Sequence, residues 1–234
     1  MKVSDDMKYT ENRSLLINIL FFIISLVSMF FGPLIFALLL KNIISNKEIL
    51  ELISNLLFIG VLYLMYFKDL NREAKLYFEN FKDFFKTGFK YYFVGVLVMM
   101  FSNLLISFII KDISANENLV RSMLFEMPLY TMISITIIAP LSEELIFRKS
   151  LAPIIKNKWI YAFVCGLLFG SAHLLAGELT FINLLYLLPY GSLGFVFALM
   201  NYETKTTWTS IIMHGMHNCV TGIVLLITYL SGAL

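Results

Sequence analysis

Three stretches of this sequence set polar, chemically capable side chains inside apolar surroundings. "APLSEELIFRKS", residues 139–150, places Glu143 beside Glu144, with Arg148 four positions after the second carboxylate. "CGLLFGSAHLLAG" carries Phe169 and His173, and "TSIIMHGMHNCVTG" carries His214, His217, Asn218 and Thr221. On a helix, Glu144 and Arg148 stand one turn apart and can form an ion pair that lowers the cost of burying both. Glu143 lies about 100° further round the helix and has no basic residue at such a spacing. A carboxylate without a neutralising partner is the one free to exchange a proton with a reactant. Glu144 and Arg148 therefore read as scaffold, and Glu143 as reagent.

A carboxylate beside an imidazole can deprotonate water, while an imidazole and a carboxamide can donate hydrogen bonds to a developing oxyanion. Together they suffice to hydrolyse an amide without a covalent intermediate. Ser142 and Ser171 adjoin these residues, but neither sits in a G-x-S-x-G turn. Zinc held by Glu143, His173 and His214 would be a legitimate catalytic ligand set, although there is no H-E-x-x-H and three helices would have to supply the ligands. The reading taken here is hydrolysis without a metal or other cofactor, zinc being the alternative.

Each residue also has a plain structural reading. Glu143, Glu144 and Arg148 could snorkel to water from the end of a helix. His173 shares a helix face with Gly166, Phe169 and Gly170, and small residues there let another helix approach, so the ring could simply be packed. His214, His217, Asn218 and Thr221 follow at offsets of zero, three, four and seven, one polar stripe that must face a bundle interior. The sequence has three histidines, and all of them fall in these segments. One shared site accounts for them more economically than separate packing roles.

The elements that must position these groups are membrane helices. Of the 234 residues 59% are hydrophobic and 15% charged, with a mean hydropathy of +0.81. Such a composition marks an integral membrane protein. A net charge of +2 gives no reason to expect a nucleic-acid partner. Cys165 and Cys219 fall in apolar runs, where small buried side chains are expected in place of a disulfide or metal ligands. A spanning helix needs roughly 20 apolar residues. Seven runs approach that length: 15–40, 49–67, 91–110, 128–147, 159–175, 181–200 and 208–230. Between the second and third, "KDLNREAKLYFENFKDFFKTGFKYY" interleaves aromatic residues with lysines and reads as an interfacial amphipathic helix. The fold class expected is thus all-α, a polytopic bundle of about seven transmembrane helices plus that amphipathic segment.

If all seven runs cross, Lys2 and Lys8 fall on the amino-terminal side with most of the other basic residues. Only Lys41, Lys47, Lys111 and Arg121, four of the 18 lysines and arginines, fall on the opposite side. The positive-inside rule then puts the amino terminus in the cytoplasm and the carboxyl terminus outside. No signal peptide is evident at the start, and no internal repeat divides the chain. One geometric strain remains. Counting rise from Pro128 and from Trp159 puts Glu143 and His173 about 13 Å apart in depth, although a shared site requires them to meet.

The three stretches resemble the ordered motifs of the CAAX prenyl endopeptidase and bacteriocin-processing family, also called Abi proteins. These are E-E-x-x-x-R (Glu143, Glu144, Arg148), F-x-x-x-H (Phe169, His173) and H-x-x-x-N (His214, Asn218). The resemblance covers roughly residues 128–225. It implies residues 128–234 as a catalytic core and 1–127 as amino-terminal helices, within one membrane domain. It also implies an intramembrane endopeptidase in which Glu143 with His173 activates water and His214 with Asn218 stabilises the oxyanion. Glu144, Arg148 and Phe169 would support that site, and His217, which has no counterpart in the motifs, would be structural. The partners implied are the lipid bilayer and a peptide or protein substrate with a membrane-associated segment. Richness in Ile, Asn, Lys and Phe fits an AT-rich bacterial genome, hence a bacterial cytoplasmic membrane and peptide processing or bacteriocin self-immunity. The alternatives are a non-catalytic immunity or scaffold protein of the same fold and a proton-coupled transporter; against the latter stands the absence of repeated halves.

Overall fold

A computed structural model describes residues 13–111, 113–178 and 180–232. Lys2 and Lys8, part of the charge asymmetry above, lie outside the described residues. The chain is helical, with no strand among the described residues. Three long helices come first: α1 (Leu15–Leu40), α2 (Lys47–Glu79) and α3 (Phe81–Ser107). A short α4 (Ala115–Glu126) follows. The segment Pro128–Lys149 is continuous but not uniform, with α5 (Pro128–Ile133), a π-turn (Ser134–Ile138), α6 (Ala139–Glu144) and a second π-turn (Leu145–Lys149). Then come α7 (Lys158–Leu174), a 3-10 turn (Asn183–Tyr186), α8 (Leu187–Thr204) and α9 (Thr207–Leu230).

Most helix starts are set by short polar side chains that accept from the first free amides. Ser14 caps α1, Asn46 caps α2, Ser114 caps α4, Asn157 caps α7 and Thr206 caps α9. The end of α8 is marked by Lys205 in the left-handed region, at φ 55°. The outer helices turn apolar side chains outward, α1 being the extreme case, with Leu16, Ile24 and Leu39 all at least half exposed. Surface of that kind is stable against lipid tails, not water.

All seven apolar runs are helical. Six helical segments are long and apolar enough to cross a bilayer, while α7, with 17 residues, is shorter. The amphipathic segment is helical too, but it is not an element of its own. Its first part is the continuation of α2 to Glu79, and its second part opens α3 at Phe81. The reason is a buried polar stripe on α2 that alternating aromatics and lysines do not disclose. Asp69 takes Arg13 at 2.6 Å, Arg72 at 2.7 Å and Lys149 at 3.6 Å. Glu73, one turn on, pairs with Lys149 and accepts from the amide of Thr207 at 2.7 Å. Trp208 Nε1 donates to the Leu70 carbonyl at 3.0 Å. α2 is thereby tied to the second π-turn and to the start of α9, so it remains in the bundle instead of lying flat on it.

The closest helix pair is α7 against α8. A Cβ on Gly166 would lie 2.8 Å from the Gly191 carbonyl oxygen, and one on Gly194 would lie 3.0 Å from Gly166 Cα. Small residues thus bring two backbones into direct contact, as apolar surroundings favour. This contact fixes the face of α7 that bears Phe169.

Candidate active site

The centre of the site is Phe169, fully buried on α7. The Arg148 guanidinium lies 4.5 Å from the centre of its ring, the His173 ring 4.5 Å away, and the His214 ring edge-on at 5.6 Å. Residues from all three sequence stretches therefore meet on one aromatic ring. Phe197 of α8 adds a second wall, stacked on His214 at 4.9 Å.

The ion pair read from the sequence is present. Arg148 Nη1 lies 3.0 Å from Glu144 Oε1, and both side chains are fully buried. Nη1 approaches off the hydrogen-bonding direction, so this contact is mainly coulombic, while Nη2 donates to the Gly194 carbonyl at 3.1 Å. The guanidinium thus joins the Pro128–Lys149 segment to α8 as well as neutralising Glu144.

His214 is held between the two carboxylates. Its Nδ1 donates to Glu144 Oε1 at 2.9 Å, and its Nε2 faces Glu143 Oε2 at 3.8 Å. A hydrogen on Nδ1 leaves Nε2 of the neutral ring with a lone pair. Glu143 Oε2, which faces His214, is itself buried and makes no hydrogen bond, but the Glu143 side chain as a whole is 22% exposed, unlike that of Glu144. Glu143 is therefore the carboxylate that a reactant can reach.

His173 is arranged differently. Its Nδ1 donates to the Phe169 carbonyl at 2.8 Å, and its ring stacks on Tyr190 at 4.5 Å. It lines a cavity with Ser114, Asn183, Tyr186 and Tyr190. The Tyr190 hydroxyl in turn pairs with Ser114 Oγ at 2.7 Å, which brings the start of α4 over the cavity. Sequence reasoning misses Tyr190 and Ser114, and no spacing rule would find them.

Two expectations change. The stripe on α9 does not point one way: His217 Nδ1 lies 3.4 Å from the Tyr92 hydroxyl of α3, and Thr221 is exposed and bonds to carbonyls of its own helix. His214 and Asn218 face the Pro128–Lys149 segment, since Asn218 Nδ2 donates to the Ile135 carbonyl at 2.8 Å. His217 is about 100° round the helix from Asn218, enough to turn it to another neighbour. Cys219 is exposed, whereas Cys165 is buried and its thiol donates to the Phe147 carbonyl at 3.0 Å.

The apparent difference in depth also shrinks. The Cys165 contact sets that residue level with Phe147. From the helical rise, Glu143 then lies about 6 Å and His173 about 12 Å beyond that level. The remaining separation, about 6 Å by the same rise, is within side-chain reach. Phe169 occupies it. As to zinc, among the described residues no three His, Cys, Asp or Glu side chains gather closely enough to hold a metal ion. His214 has one ring nitrogen committed to Glu144 and His173 one committed to Phe169, which leaves the other nitrogen of each ring as an acceptor.

Comparison with known proteins matches residues 125–220 to the family model described as type II CAAX prenyl endopeptidase Rce1-like. That range holds Glu143, Glu144, Arg148, Phe169, His173, His214 and Asn218. A Bacillus subtilis (strain 168) protein with the name "Putative membrane peptidase YdiL" is 31% identical over 108 residues, 45% of this chain and 41% of that protein. The match thus spans about two-fifths of that relative's length. No solved structure matches the chain.

Proposed function

We propose that this chain, whose residues 125–220 match the family model described as type II CAAX prenyl endopeptidase Rce1-like, hydrolyses a peptide bond of a membrane-associated protein or peptide with water activated by Glu143. The observation that carries this reading is the placement of His214 between a buried, neutralised carboxylate and an accessible one. Glu144, paired with Arg148, holds the hydrogen on Nδ1 and stabilises the ring if it becomes charged. Glu143 accepts a proton from water as the oxygen attacks the scissile carbonyl carbon. That proton then passes to the leaving amine through Glu143 or the facing Nε2, so the carboxylate is restored as the C–N bond breaks.

The division of labour differs from the sequence reading. Glu143 stands beside His214, which makes this pair the acid-base centre. His173, with its hydrogen held on Nδ1 and lining the cavity, has the Nε2 lone pair left to accept a hydrogen bond from water or a substrate N–H. No step is derived through a metal. Basic residues concentrated at one set of helix ends support a cytoplasmic amino terminus and an outer carboxyl terminus, with α7 completing a seventh crossing in a locally thinned bilayer. Composition supports a bacterial cytoplasmic membrane, where peptide processing or bacteriocin self-immunity would use such an enzyme.

The test compares cell-associated and secreted peptides in a deletion strain complemented with wild type or Glu143→Gln. The variant is expected to insert at normal levels and to accumulate the same precursor as the deletion. Full complementation by Glu143→Gln would establish a non-catalytic immunity or scaffold role instead.

A further inference from the structure

The contact between Asn218 and Ile135 has a covalent reason. In a helix the Ile135 carbonyl expects an amide from residue 139, or from residue 140 where the turn is widened. The Ala139 amide is taken by the Ser134 carbonyl, five residues back. Residue 140 is proline, which has no amide hydrogen. Ile135 is thus deprived of a donor in both registers, inside an apolar bundle where an unmet carbonyl is costly. Asn218 Nδ2 fills that place at 2.8 Å.

Geometry on α9 supports the assignment. Gly215 and Gly222 lie on the same face as Asn218, at offsets of minus three and plus four. A Cβ on Gly215 would stand 3.6 Å from the Thr136 carbonyl oxygen, and one on Gly222 would stand 3.1 Å from Ile135 Cδ1. The glycines bring α9 close to the widened turn, and Asn218 meets it between them. His214 is one turn earlier on α9 and bonds to Glu144, four residues beyond Pro140.

We propose that Asn218 is a positioning residue: its carboxamide supplies Ile135 with the donor that Pro140 lacks, and so fixes how α6 presents Glu143 and Glu144 to His214. The effect on processing rests on the hydrolytic reading, whereas the backbone contact does not.

The experiment is a double-mutant cycle on the full chain in lipid nanodiscs, with Asn218→Ala, Asn218→Asp, Pro140→Ala and the Asn218→Ala, Pro140→Ala pair. The readouts are hydrogen exchange of amides 138, 139 and 141–144 and processing of the cellular precursor, each variant at position 218 being compared with its own residue-140 background. An alanine at 140 gives Ile135 a donor in either register, from its own amide or from that of Ala139. Asn218→Ala is expected to speed exchange of these amides about tenfold, the scale of one lost hydrogen bond. Asn218→Asp, equal in size but without the donor, should do the same. In the Pro140→Ala background, Asn218→Ala should change exchange less than twofold and processing little beyond the level of Pro140→Ala alone. Equal effects of Asn218→Ala in both backgrounds, or unchanged exchange on its introduction, would overturn the assignment. A protein whose exchange obeys the cycle while Glu143→Gln processes normally would support the contact and dismiss the hydrolytic reading.

Discussion

Removing the charge of Arg148 tests the central packing most directly. In Arg148→Met the aliphatic stem is kept, but buried Glu144 loses its guanidinium partner, the Gly194 carbonyl loses its donor, and Phe169 loses a cation 4.5 Å from its ring centre. Breaking a buried ion pair from one side costs about 3–5 kcal/mol. The hydrogen bond and the ring contact would add about 1–3 kcal/mol each if they were independent. They are not independent, because one planar group makes all three contacts. Two features pull the total down: Nη1 meets Glu144 off the hydrogen-bonding direction, and Nε has no hydrogen-bond partner. A loss of about 4 kcal/mol is expected. Glu144→Gln should cost about 3 kcal/mol for the same reason, whereas Glu144→Gln with Arg148→Met leaves no unpaired charge and should cost much less than the two together. Equilibrium unfolding in mixed micelles, followed by tryptophan fluorescence, measures the cycle. A coupling energy of about 2 kcal/mol or more is expected for a pair in direct buried contact. Additive effects would mean that the pair does not act as a unit, and the scaffold role of Glu144 and Arg148 would fall with it.

The two histidines of α9 should separate cleanly: His214→Phe is expected to abolish precursor processing, and His217→Phe to retain it within a few-fold, as read in the deletion strain. In the folded protein a small membrane-permeant thiol reagent should modify Cys219 and leave Cys165 intact until denaturation, which mass spectrometry of the intact chain can follow.

What the sequence could disclose followed from short-range geometry. Glu144 and Arg148 at a four-residue spacing, Phe169 and His173 likewise, and the apolar runs themselves depend on a helical period, and all reappear as helical neighbours. Contacts between segments were not available in that way. Nothing in the spacing on α2 says that Asp69 and Glu73 meet Lys149 and the start of α9, so a buried stripe looked like the wet face of an interfacial helix. The α9 stripe failed for a related reason. Offsets of three and four fall on opposite sides of the true period, about 100° apart, and where several helices pack around one, that angle sends His217 to α3 and Asn218 to Ile135.

The two π-turns explain why the carboxylates and histidines hold a definite mutual orientation. A widened turn shifts the hydrogen-bond register, and some carbonyls must then find donors elsewhere. Beside the first turn the donor to Ile135 is Asn218 of α9. At the second, the Leu145 carbonyl takes the Ser150 amide five residues on, Ile146 accepts from the Ser150 hydroxyl, and Phe147 and Arg148 accept from Cys165 and Tyr161 of α7. α9 is the helix of His214 and α7 is the helix of His173. The six residues of α6, with both glutamates at their end, are thus flanked by carbonyl contacts to the two helices that supply the imidazoles. A slide of either helix along the segment would leave a carbonyl unmet in an apolar interior, at a cost of several kcal/mol. Such a constraint suits acid-base chemistry, because a proton moves efficiently only between groups held within hydrogen-bond reach. It also makes Cys165 and Tyr161, remote from any reacting atom, residues whose loss should loosen the site.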